Sequence, residues 1–144
     1  MFAKRLLGGI LVVLSCAAVS FAGEFSKQEA VKYYNEGVGA QEAGDMESAK
    51  SAYQKAILVS DRSARDTVKA VYNNLGVMYS QAENWEKAAE YFNEALTIDA
   101  DYKEANFNVG ILYAKMGYAQ KALAYWSKAL NKTGSFIVQG RKEE

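Results

Sequence analysis

Few residues of this chain have types and spacings that could perform acid–base, nucleophilic or metal chemistry. The 144 residues include no histidine and a single cysteine, Cys16, so the usual general base and the usual zinc ligands are missing. Carboxylates such as Glu86 and Glu90 lie one helical turn apart and could exchange protons with a substrate, but acid pairs at this spacing are typical of solvated helix faces. The sequence therefore predicts a protein that is not an enzyme and that uses no cofactor and no metal ion.

The charge balance narrows the class of partner. Lysine plus arginine and aspartate plus glutamate both number 17, which gives a formal net charge of zero. A nucleic-acid surface normally carries a clustered basic excess. We therefore expect no nucleic-acid partner, and the hydrophobic half of the residues is sufficient for one folded domain.

The first 22 residues differ in kind from the rest of the chain. Lys4 and Arg5 precede the apolar run LLGGILVVLSCAAV, and the small residues Ser20 and Ala22 stand where a secretory signal peptide is usually cut. Residues 1–22 are therefore predicted to be a signal peptide, with cleavage after Ala22. The remaining chain would carry 15 basic and 17 acidic residues.

Two other interpretations of this segment stay open. The motif VLSC resembles the lipobox of bacterial lipoproteins, in which Cys16 would carry the lipid, although Leu14 is bulky where a small residue is commoner. An uncleaved anchor is the third interpretation, since residues 6–22 reach the minimum length of about 17 residues for a spanning helix. All three place the rest of the chain outside the cytoplasm, in the periplasm or cell envelope.

An internal repeat covers most of the remaining chain. Three segments align without gaps on Gly37, Gly76 and Gly110, which are 39 and 34 residues apart. The same small and aromatic residues follow each glycine: Ala49, Ala88 and Ala122; Tyr53, Phe92 and Trp126; Ala56, Ala95 and Ala129. Because these follow the spacing i, i+4, i+7, they share one face of a helix. Each unit is therefore predicted to hold two helices, with the glycine on the first.

A recurring glycine inside a helix needs a structural reason, because glycine costs about 1 kcal/mol relative to alanine there. We expect that the missing side chain lets the partner helix approach closely. The alanine near the start of the second helix is the predicted complementary surface.

Helix boundaries follow from capping signals. Asp45 and Asn84 are predicted to cap the second helices, and Gly44 and Gly117 suit left-handed turns at helix ends. The first helices are expected to begin at Ser26, Ser63 and Asp101, because each of these residues stands three positions before an acid.

The repeat resembles the tetratricopeptide repeat family, whose units are 34-residue helix–turn–helix pairs. The second unit matches the consensus closely, with Tyr72, Leu75, Gly76, Tyr79, Ala88, Phe92 and Ala95 at the corresponding places. The other units depart from it at Asn106, Val109, Glu36 and Ala40, and the consensus proline is missing throughout.

The resemblance implies an all-α fold, an α-solenoid of three units with about six antiparallel helices. The units are predicted at residues 30–63, 69–102 and 103–136, followed by a C-terminal tail at 137–144.

The resemblance also implies a binding surface, since first helices of this family line a concave groove that holds peptide segments. Carried onto this sequence, the groove contains Tyr34, Asn35, Val38, Asn73, Asn74, Val77, Phe107, Asn108 and Ile111. One subgroup of the family clamps a peptide carboxylate with lysine and arginine. Because Tyr34, Val38, Glu104 and Asn108 stand at four of those clamp positions, the resemblance does not extend to a carboxylate clamp.

The groove residues allow two interpretations each. The asparagines could hydrogen-bond the backbone of an extended peptide, or they could bond between helices and set the repeat geometry. The apolar members Val77, Phe107 and Ile111 could contact a ligand or belong to the core.

The expected function is that of a protein–protein interaction module of the bacterial cell envelope, which binds a peptide segment of another envelope protein. Contact with a membrane is expected only through the N-terminal segment. The alternative is an assembly component, lipid-anchored at Cys16 in one version, that associates through its repeat ends and the apolar tail residues Phe136, Ile137 and Val138. The tail either folds back over the last helix or is covered by another chain.

Overall fold

The computed structural model describes the backbone of residues 2–130 and the side chains of residues 21–130. Within this part the chain forms α-helices and one short 3₁₀ helix, with no strand. The elements are α1 (Phe2–Glu42), α2 (Met46–Val59), the 3₁₀ helix (Arg62–Ala64), α3 (Arg65–Gln81), α4 (Trp85–Ile98), α5 (Lys103–Lys115) and α6 (Ala119–Ala129). The predicted fold class, an all-α array of helix–turn–helix pairs, is confirmed.

The chain divides into two compact units, Met1–Val68 and Lys69–Glu144. In the first unit α1 packs against α2 and against the 3₁₀ helix. Its core consists mainly of alanines around the fully buried ring of Tyr53. The Tyr53 hydroxyl donates a hydrogen bond of 2.8 Å to Gln41 Oε1, so the one polar atom of this buried ring is satisfied within the hairpin.

The second unit contains nearly all of α3 and the helices α4, α5 and α6. Its core is the cluster of Ala88 and Phe92 from α4 with Val109 and Leu112 from α5. Half-buried aromatic residues, among them Tyr79 and Trp85, pack around this cluster. Burial of such apolar side chains stabilises each helix pair by about 1.5–3 kcal/mol for every large residue removed from water.

Each repeat glycine lies under an aromatic ring of its partner helix. A Cβ atom added at Gly37 would stand 2.5 Å from the Tyr53 ring, and one added at Gly76 would stand 2.6 Å from the Phe92 ring. A Cβ atom at Gly110 would overlap the Trp126 ring in the same way. Because real Cβ atoms do not approach other atoms so closely, no larger residue fits without a shift of the ring. The predicted close approach of the two helices is confirmed.

The atoms nearest to each glycine belong to an aromatic ring of the second helix, a contact that the sequence predictions did not single out. Gly76 and Phe92 stand eight residues before and eight residues after Asn84, the cap of the turn. Antiparallel helices joined at that turn therefore bring these two residues to the same height. Ala88 is closer to the turn in sequence and is fully buried.

The second helices begin as predicted. Asp45 Oδ1 accepts from the backbone N–H of Ser48 at 3.1 Å, and Asn84 Oδ1 accepts from that of Lys87 at 3.2 Å. Gly44 and Gly117 have positive φ angles of 79° and 82°, which confirms the predicted left-handed turns. The equivalent residue of the middle hairpin is Glu83, whose φ of 58° is unusual for a side chain with a Cβ atom.

The first helices do not begin where the sequence predicted. Helix α1 runs without interruption through Ser26, whose hydroxyl donates to the carbonyl oxygen of Ala22 at 3.1 Å. Ser63 lies inside the 3₁₀ helix, and α5 begins after Tyr102, with no side-chain cap. The capping signal failed in α1 because the helix continues on the N-terminal side of Ser26, whose hydroxyl bonds back to the carbonyl oxygen four residues earlier and not to an N–H group ahead of it.

No helix in the described part of the chain combines the length and the apolar character needed to cross a bilayer. The predicted lipidation site Cys16 and the apolar tail residues 136–138 lie outside the described side chains. The predictions about the leader and the tail therefore stay predictions.

Candidate functional site

Three of the predicted groove residues lie on α1 in the first unit. Tyr34 is half-buried, with its ring centroid 6.1 Å from that of Tyr53. Asn35 is exposed and Val38 is half-buried. Tyr34 is thus fixed by the ring that covers Gly37, whereas Asn35 is open to solvent.

The other six lie in the second unit, on α3 and α5. Asn108 of α5 donates from Nδ2 to Asn73 Oδ1 of α3 at 2.9 Å, a bond that joins residues 35 positions apart. Asn73 is buried, and its own Nδ2 lies 3.5 Å from the side-chain oxygen of Asn74. The structure therefore brings the predicted asparagines together as a bridge between two first helices. For Asn73 and Asn108 this is the inter-helix role that the sequence left open.

The apolar groove residues of the second unit also differ in how much of their surface is buried. Val77 is half-buried and packs against the core cluster of α4 and α5, so it contributes to stability whatever else it contacts. Ile111 is half-buried. Phe107 differs, since 51% of its surface is exposed. A half-exposed aromatic ring is the kind of residue that anchors a bound peptide.

The position of Phe107 depends on the neighbouring hairpin helix. The Trp126 indole N–H donates to the backbone carbonyl oxygen of Phe107 at 3.2 Å. The same tryptophan ring covers Gly110, three residues along α5. The contact that holds α6 against α5 therefore also holds the backbone that carries Phe107.

None of the nine predicted groove residues is charged. One ion pair of the second unit joins two residues outside that set. Lys69 Nζ lies 2.8 Å from Asp99 Oδ2, which ties the start of α3 to the end of α4. Burial, and then the negative charge of Glu94, raises the pKa of Tyr72 above its ordinary value of 10.0. This surface can offer hydrogen bonds from its amide side chains and apolar contact from its aliphatic and aromatic side chains.

Metal binding has no support in the described part of the chain, where no three His, Cys, Asp or Glu side chains group closely enough to hold an ion. The pKa values of Asp45 and Asp61 are lowered from 3.8, in each case mainly because a serine side chain and then a backbone N–H donate to the carboxylate. Both carboxylates act as helix caps.

A cleft at the turn end of the second unit was not anticipated from the sequence. It is lined by Ala82, Glu83, Asn84, Trp85, Glu86, Ala89, Leu112, Tyr113 and Met116. The Lys115 ammonium lies 5.5 Å from the centroid of the Trp85 ring, within range of a cation–π contact. Trp85 is the residue from which the sequence could have predicted this cleft. It is a large aromatic residue directly after the helix cap Asn84, a place where solvated residues are common.

Comparison with protein-family models identifies a tetratricopeptide repeat match over residues 28–101, just over half of the chain. The comparison with curated protein sequences gives no match.

Solved structures share the fold. The second tetratricopeptide domain of Spaghetti (RPAP3), bound to the HSP90 peptide SRMEEVD, superposes with a TM-score of 0.67 at 19% identity, over 80% of this chain and 96% of that one. The C-terminal TPR-containing domain of Plasmodium falciparum PFL2275c gives 0.64 at 20% identity, over 78% and 83% of the two chains. The crystal structure of MamA gives 0.61 at 24% identity, over 74% and 58%.

Three observations now agree: a repeat aligned on glycine, helical hairpins in which an aromatic ring covers that glycine, and a family model that spans more than half of the sequence. The chain therefore belongs to the tetratricopeptide repeat family.

Proposed function

We propose that this chain is a protein–protein interaction module that binds an extended, largely uncharged peptide segment of another protein of the bacterial cell envelope. The observation that carries the proposal is Phe107, a half-exposed aromatic residue whose backbone carbonyl is bonded by Trp126, on the helix that also carries Asn108. An extended peptide needs partners for its backbone amides and a pocket or ring for its side chains, and this surface offers both.

The partner is not an acidic chain terminus. The Spaghetti domain is bound to a peptide that ends in two glutamates, a valine and an aspartate. In the present chain the corresponding clamp positions hold Tyr34, Val38, Glu104 and Asn108, so the basic side chains that would pair with a carboxylate are missing. Exposed Glu104 would repel such a peptide.

Site-specific photo-crosslinking tests the binding surface. A photoreactive phenylalanine at position 107 is expected to capture a partner in cells, because this ring would lie against the bound peptide. Tyr118 is the matched control, since it is an aromatic residue of the same unit with the same 51% exposure and lies outside the predicted groove. Capture at 118 and not at 107 would contradict the proposal.

A binding measurement separates anchoring from folding. Phe107→Ala is expected to weaken binding to the captured partner segment by about tenfold or more, as truncation of a central aromatic anchor usually does. The melting temperature should change little, because half of the ring is already in water. An acidic peptide such as SRMEEVD is expected to bind no more tightly than a scrambled sequence.

The envelope location is part of the proposal and is supported by the charged start, the apolar run and the small residues at 20 and 22. The alternative function, an assembly component that associates through its repeat ends and tail, is supported by exposed Leu123 and Leu130 on and beside the last described helix. A mass that rises with protein concentration in light scattering, together with crosslinks at 123 and not at 107, would favour this alternative.

A further inference from the structure

We propose that the turn formed by Asp61 and Ser63 is a docking site for the amino terminus that cleavage after Ala22 creates. The two features meet at one residue. The sequence predicts Gly23 as the first residue of the processed chain, and Gly23 is a point at which α1 is tied to this turn.

The contacts at Gly23 are specific. The hydroxyl oxygen of Ser63, a residue 40 positions away, lies 2.5 Å from the Gly23 carbonyl oxygen and 2.5 Å from Asp61 Oδ1, so its one proton is shared between these two acceptors. A Cβ atom built on Gly23 would lie 3.6 Å from Asp61 Oδ2. Two residues earlier, Phe21 is 77% exposed. Gly23 is therefore the first described residue of α1 that contacts the Asp61 turn, and the next residue on this face, Ser26, is also half-buried.

The two carboxylate oxygens of Asp61 have different neighbours: Oδ1 caps the 3₁₀ helix, and Oδ2 is close to Gly23 of α1. Oδ1 accepts from the backbone N–H of Ser63 at 2.8 Å and lies 2.5 Å from the Ser63 hydroxyl oxygen. Oδ2 is the Asp61 oxygen that lies 3.6 Å from the position of a Cβ atom on Gly23. Because the amino nitrogen of Gly23 is bonded to the same carbon as the built Cβ atom, it lies within about two bond lengths of that position.

Cleavage after Ala22 would change the charge and the hydrogen bonding at the start of α1. Hydrolysis of the Ala22–Gly23 peptide bond by a signal peptidase consumes one water and leaves a carboxylate on Ala22 and an ammonium group on Gly23. The new helix end would carry that positive charge and backbone N–H groups without helical partners. A positive charge is unfavourable at the positive end of the helix dipole, and a carboxylate placed there is favourable. Asp61 supplies that carboxylate from the α2–α3 connection.

The order of events follows from the same geometry. In the folded chain the bond to be cut is inside α1, and the Ala22 carbonyl oxygen accepts from the Ser26 hydroxyl. Cleavage therefore precedes the folding of the first hairpin. Ser26 already lies within hydrogen-bonding reach of the Asp61 carboxylate, and removal of Ala22 takes away the competing acceptor of its hydroxyl.

The first experiment determines the amino terminus. The full chain is produced in an exporting bacterium and the recovered protein is analysed by mass spectrometry of its N-terminal peptide. The proposal expects a chain that begins at Gly23. A lipidated Cys16 or an intact Met1 would overturn it.

The second experiment tests the docking. Asp61→Asn removes the charge and retains the oxygen that caps the 3₁₀ helix, as Asn84 does for α4. It is introduced into the chain that begins at Gly23 and into a chain that keeps Phe21 and Ala22, which moves the ammonium group by two residues. Asp45→Asn is the control, because Asp45 is also an exposed aspartate whose Oδ1 caps a helix of the same unit, at the turn between α1 and α2.

The expected result is a loss of about 2–4 °C in melting temperature for Asp61→Asn in the Gly23 chain, and a clearly smaller loss in the longer chain. Asp45→Asn should lower both melting temperatures equally. Equal losses for Asp61→Asn in the two chains would show that Asp61 is only the cap of the 3₁₀ helix, and would overturn the proposal.

Discussion

The hairpins α3–α4 and α5–α6 build the same contact from different surroundings. In both, an aromatic ring of the second helix covers a glycine of the first, with Phe92 over Gly76 and Trp126 over Gly110. Phe92 is fully buried, whereas Trp126 is half-buried and donates its N–H to a backbone carbonyl. The contact between glycine and ring thus defines the hairpin, and it tolerates rings of different size and polarity.

The positions around this contact differ much more. Tyr72 of α3 has its ring 6.2 Å from that of Tyr91, but the equivalent residue of α5 is Asn106, which donates to the carbonyl oxygens of Ala100 and Tyr102 at 3.0 Å each. Asn106 Oδ1 is buried and has no hydrogen-bond partner among the described residues. The last hairpin has replaced an aromatic contact with a polar link to the preceding turn, so consensus positions other than the glycine can change their role.

The largest expected effect comes from filling the shared contact. Gly76→Leu and Gly110→Leu should each lower the free energy of unfolding by more than about 2 kcal/mol, because the added atoms overlap a packed ring. Gly39 in α1 is the control, since a Cβ atom there meets nothing within 4 Å. Gly39→Ala should instead raise stability by about 0.5–1 kcal/mol through helix propensity. Urea unfolding of the three variants measures this, and an unchanged midpoint for Gly76→Leu would refute the packing account.

The second-largest expected effect tests the polar link that Asn106 makes in place of the tyrosine of the preceding hairpin. Asn106→Asp should cost about 2–3 kcal/mol at neutral pH, because it puts a buried carboxylate where the amide now donates to two carbonyl oxygens. Asn35→Asp on the exposed face of α1 is the control and should cost little. Thermal unfolding at pH 7 compares them, and similar losses for both variants would show that the Asn106 link is unimportant.

The caps of the two hairpins should respond unequally. Asn84 caps α4 with its side chain, whereas Tyr118 at the start of α6 makes no side-chain cap bond. Asn84→Ala should therefore cost about 1 kcal/mol through the lost cap. Tyr118→Ala should lose only its ring contacts and cost less. If denaturant titration gave the reverse order, the cap assignment would be wrong.

The smallest effect concerns the turn residue. Glu83 adopts the left-handed conformation that glycine occupies at 117. Glu83→Gly removes backbone strain of about 1 kcal/mol and increases the entropy of the unfolded chain, so a net gain of about 0.5 kcal/mol is expected. Calorimetry would reveal this as a small rise in melting temperature. A fall would mean that the Glu83 side chain makes a compensating contact.

The sequence predicted the architecture well because it repeats. Three occurrences of glycine, alanine and aromatic residues at fixed spacing identified paired helices, and Asp45, Asn84, Gly44 and Gly117 located turns through local backbone chemistry. The starts of the first helices were harder to predict. A capping residue such as Ser26 is a local signal, and in the structure its hydroxyl bonds back to Ala22 inside a helix that continues past it.

The candidate site could be predicted only as a set of positions. Sequence spacing placed Asn73, Asn108, Val77 and Phe107 on first helices, yet it could not say which of them are bound to each other and which face solvent. In the structure Asn73 and Asn108 bond together, Val77 joins the core and Phe107 is half exposed. Those outcomes depend on distances between side chains that are 35 residues apart, and a local pattern does not encode such distances.

The sequence by itself therefore determined the unit, its pairing and most of its turns, because these depend on contacts within about 20 residues and on the conformational freedom of individual residues. Only the tertiary structure decided that an aromatic ring covers each glycine. It likewise decided that α1 is tied to the Asp61 turn at Gly23. Both are consequences of how antiparallel helices align in height, which follows from packing whole side chains against one another.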